Sequence, residues 1–558
     1  MTTINGDQAS PKASASIKSS TQRVPPPETS EAVQTRFRVI AAFWAVIVLF
    51  GFPIWWKTTS IYRAHLPIQE MVDWDDGKIC RPVFPLEIHV AAPAMQISES
   101  QHLLRTTQHT LDDLNEFAAH HLRLKLANDT SAPNANGDQA AETEHQITEE
   151  RADIALTVRV LPQDDLTAPR SEIHADTTQL DVFYPPNQVP LPSSSNPPLS
   201  AFIAQELQGL YSEEKATIAH ILSGETAGSD SESIIRRLRR SMKYADTYHL
   251  SFSLFTPGPA PSSWDIEAAV KEYLTPLLDA FAPISNFTVD TQVQLYATFS
   301  PMAPPPVYDE AEAAWTLKKE DLSAFINAAE WPLNPSIGNG PTLNFVLYVP
   351  APFQSPMVVK ENRASSWIVP QWGGVFLLNP PLSEEPSPSN PKHLTQESLR
   401  PAFMTFSHQL LTLLGTPTTP SSLPLRLQTL IRVRAATLLL SASSTMGSLA
   451  RLTESLPSIP IPATVASSVS TTLSHLGTTC SSLRDGRFAA ALASARVAET
   501  EAERSFFEKS MVGQVYFPDE HKVAVYLPLL GPIGVPLIVG LLKEVKRLIA
   551  GRKARAAA

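Results

Sequence analysis

Few residues of this chain could do chemistry, and their spacing does not support a catalytic site. His120 and His121 follow Glu116 on a predicted helix, where adjacent residues point in different directions. A shared metal ion is therefore not expected, and the pattern favours a solvated helix face. Cys480 lies five residues after His475. A Cys–His dyad requires proximity in space and an activated thiol, and no neighbouring residue marks one.

The familiar catalytic and nucleotide-binding motifs are also missing. The sequence contains no G-x-S-x-G nucleophile elbow, no H-E-x-x-H, no P-loop and no G-x-G-x-x-G. The pair Asp75–Asp76 is typical of a solvated turn. We predict no catalytic residue, no cofactor and no metal site.

Charge and cysteine content narrow the class of protein further. The formal net charge is -11, so nucleic acid is not an expected partner. The two cysteines, Cys80 and Cys480, could form one disulfide, remain as two buried thiols, or bridge to another subunit. The sequence leaves these alternatives open. Because it has no C-x-x-C motif, it does not indicate metal or redox chemistry.

Two apolar segments near opposite ends dominate the organisation of the chain. They are Val39–Trp56 and Val523–Leu542; each is free of charge and close to the roughly 20 residues that cross a bilayer. Many basic residues follow the second segment, and only Lys522 immediately precedes it, which places the C-terminus in the cytosol. Two crossings then put both termini in the cytosol. The first segment is expected to be an uncleaved signal anchor.

Aromatic and basic residues follow the first crossing. Trp55, Trp56, Lys57, Tyr62 and Arg63 predict an amphipathic collar at the luminal membrane face, which anchors in headgroups or meets a partner chain. An aromatic belt at the headgroup level is the simpler interpretation of these aromatic side chains.

The second crossing contains prolines at four-residue intervals, Pro528, Pro532 and Pro536. Each removes a backbone donor and, within a helix, costs about 3 kcal/mol or more. The freed carbonyls find no water in lipid, so the segment is expected to pack against other transmembrane helices. A kinked lone helix is the alternative. The pattern favours an assembly subunit.

Hydrophobic periodicity predicts an α/β fold class: a large mixed α/β luminal domain with a helical C-terminal portion, held between two transmembrane helices. The expected organisation is a disordered cytosolic tail over 1–35, a first transmembrane helix over 36–56, a luminal α/β domain over 57–395, a luminal helical subdomain over 396–522, a second transmembrane helix over 523–542 and a basic cytosolic tail over 543–558.

Within the α/β domain, β-branched and aromatic runs predict strands and amphipathic runs predict helices. The predicted strands are Leu86–Ala92, Ile154–Leu161, Leu180–Tyr184, His249–Phe255, Val289–Phe299, Leu343–Val349 and Val375–Leu378. The predicted helices are Ser98–Leu126, Leu199–Ser223, Ser233–Tyr244 and Trp264–Phe281. Prolines divide the later part into three or four helices. No internal repeat is visible.

Polar segments and glycosylation sequons are expected on the surface of the loop. Surface insertions are predicted over Asn128–Glu150, Pro185–Pro198 and Pro380–Pro391. Asn128 and Asn286 begin the two N-x-T sequons and are the candidate glycosylation sites.

Several islands of sequence, in order from one crossing to the other, resemble the PIG-S family, a subunit of the GPI transamidase complex. The islands are Pro53–Pro67 (PIWWKTTSIYRAHLP), Asn286–Ala297 (NFTVDTQVQLYA), Leu343–Pro350 (LNFVLYVP), Gln371–Asn379 (QWGGVFLLN) and Tyr516–Pro532 (YFPDEHKVAVYLPLLGP). Within the fourth island, Trp372, Gly373 and Gly374 predict a tight aromatic turn, since paired glycines permit positive φ and close backbone approach.

The resemblance implies an endoplasmic reticulum membrane protein in a complex that joins preassembled GPI to precursor proteins. In that family the catalytic Cys and His lie on a separate caspase-like subunit, so no catalytic residue is implied here. The implied partners are that subunit, luminal and multispanning subunits, and membrane lipids; direct contact with GPI is left open. The competing hypotheses are an independent membrane-anchored luminal hydrolase and a lipid or cargo receptor that acts alone.

Overall fold

The computed structural model describes residues 29–59, 62–127, 152–189, 194, 197–223, 231–297, 299–300, 304–322, 340–379, 390–456, 459–511 and 519–557. The chain divides into two compact units. The first unit holds Met1–Arg63, Ser458–Pro460 and Lys509–Ala558, and the second holds Ala64–Pro457 and Ile461–Glu508. The insertion predicted at 128–150 lies outside the described residues, as does most of the one at 380–391.

The first unit consists of long helices. Helix α1 is Ser30–Val46, a π-helical turn continues it over Ile47–Gly51, and α2 is Phe52–Thr59. The last helix of the chain, α14, is Asp519–Ala557. Helix α1 begins before the predicted start at residue 36. Within the described residues, one helical stretch, Glu31–Ile54, is long and apolar enough to cross a membrane. The second predicted crossing lies inside α14, and its membrane span stays a prediction.

The second unit begins with a five-stranded sheet. Its strands are β1 (Phe84–Ala91), β2 (His120–Leu126), β3 (Ile154–Pro162), β4 (Arg170–Ile173) and β5 (Gln179–Tyr184). The order is β2-β1-β3-β5-β4, and every neighbouring pair is parallel except β4–β5. The central strands are rich in buried apolar residues, as expected for parallel strands that helices cover.

The first half of the second unit, residues 64–240, contains this sheet and five helices within the described residues. They are α3 (Ile68–Asp75), α4 (Ile97–Asp113), α5 (Pro198–Leu210), α6 (Ser212–Ser223) and α7 (Ser231–Arg240). The helix predicted over Ser98–Leu126 is wrong in its second half. There, the residues HHLRLKL alternate with a period of two and form β2, which pairs with β1 and buries Leu122 and Leu124.

A second five-stranded sheet follows. Its strands are β6 (Thr247–Thr256), β8 (Asn286–Leu295), β11 (Thr342–Tyr348), β13 (Ser366–Val369) and β14 (Gly373–Leu377). The order is β13-β14-β11-β6-β8, and every neighbouring pair is parallel except β13–β14. The shorter strands are β7 (Ser263–Trp264), β9 (Val307–Asp309), β10 (Ala314–Leu317), β12 (Met357–Val359) and β15 (His393–Leu394). Helices α8 (Ile266–Ala269) and α9 (Thr275–Phe281) flank a π-helical turn at Val270–Leu274.

The two five-stranded sheets have the same topology. When the strands of each sheet are renumbered in chain order, both sheets read 2-1-3-5-4, and in both the fourth strand is the antiparallel edge. The fold therefore contains an internal repeat that the sequence does not show. The seven predicted strands are confirmed as strands, with ends displaced by a few residues.

The C-terminal part of the second unit is helical, as predicted. Its four helices are α10 (Gln396–Leu413), α11 (Leu423–Ser455), α12 (Ala463–Arg484) and α13 (Phe488–Phe506). Proline stands in the first turn of α11 and at the N-cap of α12, where its fixed φ and missing N–H are tolerated.

The segment that opens the second unit packs on this helical portion. A Cβ on Gly447 of α11 would overlap the Asp75 carboxylate at the end of α3, so glycine allows the close approach. Arg451 Nη1 donates to Asp75 Oδ2 at 2.6 Å. Cys80 and Cys480 form a disulfide across 400 residues of sequence. This selects one of the three alternatives that the sequence left open.

Candidate assembly sites

The residues predicted to form a membrane collar lie at the end of the first helical stretch. Trp56 and Lys57 are in α2, and Tyr62 and Arg63 follow it. The side chains of Trp56 and Tyr62 are 62% and 65% exposed. The Trp56 ring packs 6.0 Å from that of Phe52. The backbone of Trp55 lies in α2, and its side chain lies outside the described part of the chain.

Helices α1 and α14 lie side by side and run antiparallel. Arg36 Nε donates to Glu544 Oε1 at 2.7 Å, and a Cβ on Gly540 would lie 3.7 Å from the Cδ1 atom of Ile40. A step of four residues forward in α1, from Arg36 to Ile40, therefore corresponds to a step of four residues back in α14, from Glu544 to Gly540. Glu544 is 5% exposed, so the ion pair is largely screened from solvent at the Glu544 end.

The three prolines of the second predicted crossing all lie inside α14, and all three are exposed. Each proline leaves the carbonyl four residues earlier without its helical donor. The carbonyls affected are those of Ala524, Pro528 and Pro532. Large apolar side chains on the same helix are also uncovered, among them Leu527 at 71% and Val535 at 60% exposure.

A buried ionic cluster, here called the Glu214 cluster, joins the first sheet to the helical portion. Arg432 of α11 donates from Nε to Glu214 Oε1 at 2.5 Å and from Nη2 to Glu214 Oε2 at 2.6 Å. Thr429 Oγ1 donates to Glu214 Oε2 at 2.5 Å, and His120 Nε2 lies 3.3 Å from Glu214 Oε1. Glu214 and Arg432 are 3% and 1% exposed.

The charges of the Glu214 cluster hold each other in the ionised form. Burial alone would raise the pKa of Glu214, but the Arg432 guanidinium and the hydrogen bonds from His120 and Arg432 outweigh it, so the pKa lies well below its usual range. Burial lowers the pKa of Arg432, but pairing with Glu214 raises it overall. A carboxylate held ionised in this way is a structural link and not a proton donor.

The prediction of a solvated helix at His120 and His121 is therefore wrong. His120 lies on β2, is 3% exposed and contacts Glu214. His121 Nδ1 lies 3.2 Å from the carbonyl of Ala118, and burial lowers the pKa of its imidazole. Sequence reasoning missed Arg432 as well. The signal that could have found it is an arginine inside the apolar run LIRVRAATLLL of α11.

A second polar group, here called the Tyr244 cluster, joins the second half to the same helical portion. The guanidinium carbons of Arg496 and Arg434 lie 5.6 Å and 6.0 Å from the centroid of the Tyr244 ring. Tyr244 Oη donates to Asp246 Oδ1 at 2.8 Å, and Arg496 Nη2 donates to the carbonyl of Pro283 at 2.9 Å. Burial, followed by the hydrogen bond to Asp246, raises the pKa of Tyr244.

One more buried carboxyl lies on α13. Glu499 is 8% exposed, and its Oε1 accepts a hydrogen bond from Ser441 Oγ at 2.7 Å. Burial raises the pKa of Glu499 above its usual range. Unlike Glu214, it pairs with no buried guanidinium among the described residues.

The second unit offers no catalytic arrangement that matches the candidates considered from sequence. Cys480 is bonded to Cys80, so its sulfur is not a free thiolate. Across the part of the chain that the structure describes, no group of three or more His, Cys, Asp or Glu side chains is placed to hold a metal ion.

The aromatic turn predicted at Trp372, Gly373 and Gly374 is present between β13 and β14. Positive φ falls on Gln371, at 57°, and on Gly373, at 158°. The glycines are required for close approach: a Cβ on Gly373 would overlap the backbone of Asn344, and one on Gly374 would overlap the side-chain amide of Gln409.

Of the two candidate glycosylation sites, the structure describes Asn286. Asn286 is exposed at the first position of β8. Two residues on, Thr288 Oγ1 lies 2.5 Å from His249 Nδ1. Asn128 lies outside the described residues.

Comparison with known proteins establishes the family. The model of PIG-S, the phosphatidylinositol-glycan biosynthesis class S protein, matches residues 42–551. That range includes the end of α1, all of α2, most of α14 and the whole second unit. The chain therefore belongs to the PIG-S family.

Proteins similar to this chain are known from animals and fungi. The GPI-anchor transamidase component PIGS of Bos taurus is 28% identical over 550 residues, which cover 91% of this chain and 94% of that protein. The Homo sapiens protein of the same name is 27% identical over 549 residues, with coverage of 91% and 94%. The GPI transamidase component PIG-S homolog of Schizosaccharomyces pombe is 26% identical over 530 residues, with coverage of 91% and 84%.

Proposed function

We propose that this chain is a non-catalytic assembly subunit of the GPI transamidase, which transfers preassembled GPI anchors to precursor proteins at the endoplasmic reticulum membrane. The observation that carries the proposal is the family match over residues 42–551. The relatives that are similar over 91% of this chain are named as components of that enzyme. Its partners are the other subunits, among them a caspase-like catalytic chain, together with membrane lipids.

Two features of the second unit support a non-catalytic role. The Cys80–Cys480 disulfide removes the one cysteine that lies near a histidine in sequence. In open α/β sheets, ligands usually bind beyond the carboxyl ends of the strands at the point where the strand order reverses. In the second sheet those ends lead into Pro257-Gly258 after β6 and into Val349-Pro350 after β11, which offer no nucleophile, acid or base.

The helix pair of the first unit supports a two-pass topology with both termini in the cytosol. The contacts of Arg36 with Glu544 and of Ile40 with Gly540 bring the start of α1 beside the later part of α14. The basic residues at those ends, Arg36 and Arg38 in α1 and Lys543, Lys546 and Arg547 in α14, then lie on one side of the membrane, as the positive-inside rule requires. The second unit lies in the lumen in this topology.

The exposed prolines of α14 support contact with transmembrane helices of other subunits. In hydrocarbon a carbonyl without its helical donor is stable only where another polar group reaches it. Pro532 lies eight residues before Gly540 in α14, and Val48 lies eight residues after Ile40 in the first helical stretch. At equal rise per residue, Pro532 therefore lies level with the π-helical turn Ile47–Gly51. The interruptions of both helices thus fall at one depth, where a partner helix would satisfy them.

At the luminal side, the exposed Trp56 and Tyr62 with Lys57 and Arg63 form the collar that meets headgroups or a neighbouring subunit. Asn286 carries an N-linked glycan in this proposal, since its side chain is exposed in a sequon. Enzymatic removal of N-glycans should lower the apparent mass of the wild-type chain by one glycan more than that of Asn286→Gln.

The experiment that tests the function is purification of the tagged full-length chain in mild detergent, followed by mass spectrometry of the proteins recovered. We expect a caspase-like cysteine subunit and several multispanning proteins in stable proportion to the chain. As a control, Pro528→Leu, Pro532→Leu and Pro536→Leu combined should weaken recovery of the multispanning proteins, whereas Leu527→Ile should not. A chain recovered as a monomer would overturn the proposal.

A further inference from the structure

A groove of about 660 Å³ runs along one edge of the second sheet. One wall is β13, the antiparallel edge strand, over Ser366–Val369. The other wall is α10, which contributes Thr405, His408, Gln409 and Thr412. These four residues are spaced as one stripe on a helix face. A groove between an edge strand and a helix is the arrangement in which an extended peptide adds to a sheet as a further strand.

The backbone of β13 is oriented for such an addition. Leu377 N donates to Ser365 O at 2.7 Å, and the register pairs Trp367 with Val375. Hydrogen-bonded and non-hydrogen-bonded pairs alternate along an antiparallel ladder. The N–H and C=O groups of Ser366 and Ile368 therefore point away from β14 and toward the groove. Among the described residues no strand lies beyond β13.

Gln409 offers a buried polar atom in the wall of the groove. Its side chain is 4% exposed, and its Nε2 donates to the carbonyl of Trp367 at 3.1 Å. Its Oε1 is buried and accepts no hydrogen bond from the described residues. That oxygen packs against Gly374 of β14, so the Gln409 side chain fixes α10 to the sheet beside the groove.

The basic residues that line the groove favour an acidic occupant. Its lining includes Arg240, Lys319 and His408 and contains no carboxylate, although the chain as a whole has a net charge of -11. None of these three side chains takes part in an ion pair among the described residues. The wall formed by β13 is largely apolar, with Trp367, Ile368 and Val369 in contact with the space.

We propose that this groove binds an extended acidic segment of another subunit of the assembly, which pairs with β13 as a sixth strand of the second sheet. The inference rests on the proposed function for the source of the segment. Main-chain hydrogen bonds to Ser366 and Ile368 would give affinity, and the three basic side chains would select for Asp and Glu.

The test uses the full-length chain in assembled membranes, with the photo-crosslinker p-benzoyl-L-phenylalanine in place of Ile368. We expect a light-dependent adduct with one other subunit, mapped by mass spectrometry to a segment rich in Asp and Glu. The same crosslinker at Arg236, which is exposed on α7 outside the groove, should not form this adduct.

Two sets of variants separate charge from strand pairing. Arg240→Glu with Lys319→Glu should lower the adduct yield about tenfold or more, because both rim charges reverse. Arg236→Glu on the same helix is the matched control and should leave the yield unchanged. With the crosslinker moved to Thr412, Ile368→Pro should abolish the adduct by removing an outward N–H, whereas Ile368→Val should retain it.

Several outcomes would overturn the inference. They are adducts confined to this chain, including its residues 323–339, adducts with lipid or with a precursor protein, and a yield that the charge reversals leave unchanged. Co-purification of the other subunits is measured on the same samples. If the subunits co-purify and the adduct is absent, the docking inference alone fails; if no subunit co-purifies, the proposed function fails.

Discussion

The two halves of the second unit share one topology, but different interactions join them to the helical portion. The first half is held by the Glu214 cluster, in which a carboxylate and a guanidinium are both almost fully buried. The second half is held by aromatic packing: the Phe252 ring lies 5.2 Å from that of Phe345 and 5.3 Å from that of Phe403, and Phe406 lies 5.2 Å from Phe345. The charged contacts of that half, in the Tyr244 cluster, are nearer the surface.

This difference shows that two sheets with the same strand order can be joined to neighbouring helices by different kinds of interaction. Aromatic packing tolerates small changes of position, because it depends mainly on buried area. A bidentate ion pair in the interior fixes one position, because a small displacement leaves two desolvated charges without partners. We infer that the first half is held in a more closely defined position on the helices than the second half.

The largest expected effect is at the Glu214 cluster. Glu214→Ala leaves the Arg432 guanidinium buried without its partner, which should cost about 3 to 5 kcal/mol of the free energy of unfolding. Urea unfolding of the detergent-purified chain, followed by tryptophan fluorescence, measures it. The double variant Glu214→Leu with Arg432→Met should recover most of the loss, because both charges are removed together. A double variant as unstable as Glu214→Ala would show that the pair itself is a net source of stability.

In the second half the matching test is Phe406→Ala. Removal of this ring, which is 1% exposed, should cost about 3 kcal/mol through lost burial and the cavity left behind. The loss should be the same at low and at high salt. A clear salt dependence would mean that the second half also relies on charge, and the contrast between the halves would disappear.

The pH dependence of stability should also differ between the Glu214 cluster of the first half and Glu499 of the helical portion. The pKa of Glu214 is lowered, so its contribution is present above the ordinary value of 4.5 and is lost as the pH falls below it toward the folded-state pKa. The pKa of Glu499 is raised, so the folded chain holds its proton at higher pH than the unfolded chain does. Its unfavourable contribution to the free energy of unfolding therefore becomes smaller as the pH falls through its folded-state pKa to 4.5.

The variant Glu499→Gln isolates the second of these contributions. It should be more stable than the wild-type chain at neutral pH, and the advantage should shrink as the pH approaches 4.5. Thermal unfolding at a series of pH values measures the difference. An advantage that is constant with pH would contradict a raised pKa at Glu499, while acid destabilisation below 4.5 should remain in both proteins because Glu214 is unchanged.

The smallest effect is expected at the surface of the second half. Lys243 Nζ lies 2.7 Å from Glu503 Oε1, with the side chains 78% and 43% exposed. Lys243→Ala should change the free energy of unfolding by about 0.5 kcal/mol or less, because exposed pairs are screened by water and salt. A loss above about 1 kcal/mol in the same urea titration would place this pair among the structural contacts.

The parts of the fold that sequence patterns predict are those with strong local signals. Strands such as β3 and β6 are runs of β-branched and aromatic residues, and the helical portion has long 3–4 periodicity between prolines. The strand β2 was read as helix because HHLRLKL follows a true helix without a proline or glycine to mark the change. The repeated topology could not be predicted, because the two sheets share their strand order and not their amino-acid sequence.

The Glu214 cluster shows why the site residues were harder to predict than the fold. Glu214 lies in SEEK, which reads as a solvated first turn of a helix. Its partners lie 94 residues before and 218 residues after it. Only tertiary packing brings such groups together, and a single sequence contains no measure of that proximity. The collar and the prolines could be proposed from the sequence because the residues within and beside an apolar segment are local in sequence.

The disulfide between Cys80 and Cys480 has a mechanical consequence. A pull applied to the second unit through its two ends, Ala64 and Glu508, would travel along the chain to Cys80, cross the sulfur–sulfur bond and leave by α12 and α13. The residues between the cysteines, 81–479, with both sheets, form a closed ring outside this covalent path. A pull on these two ends would therefore load α3 and the last two helices of the unit, and the covalent path would bypass both sheets.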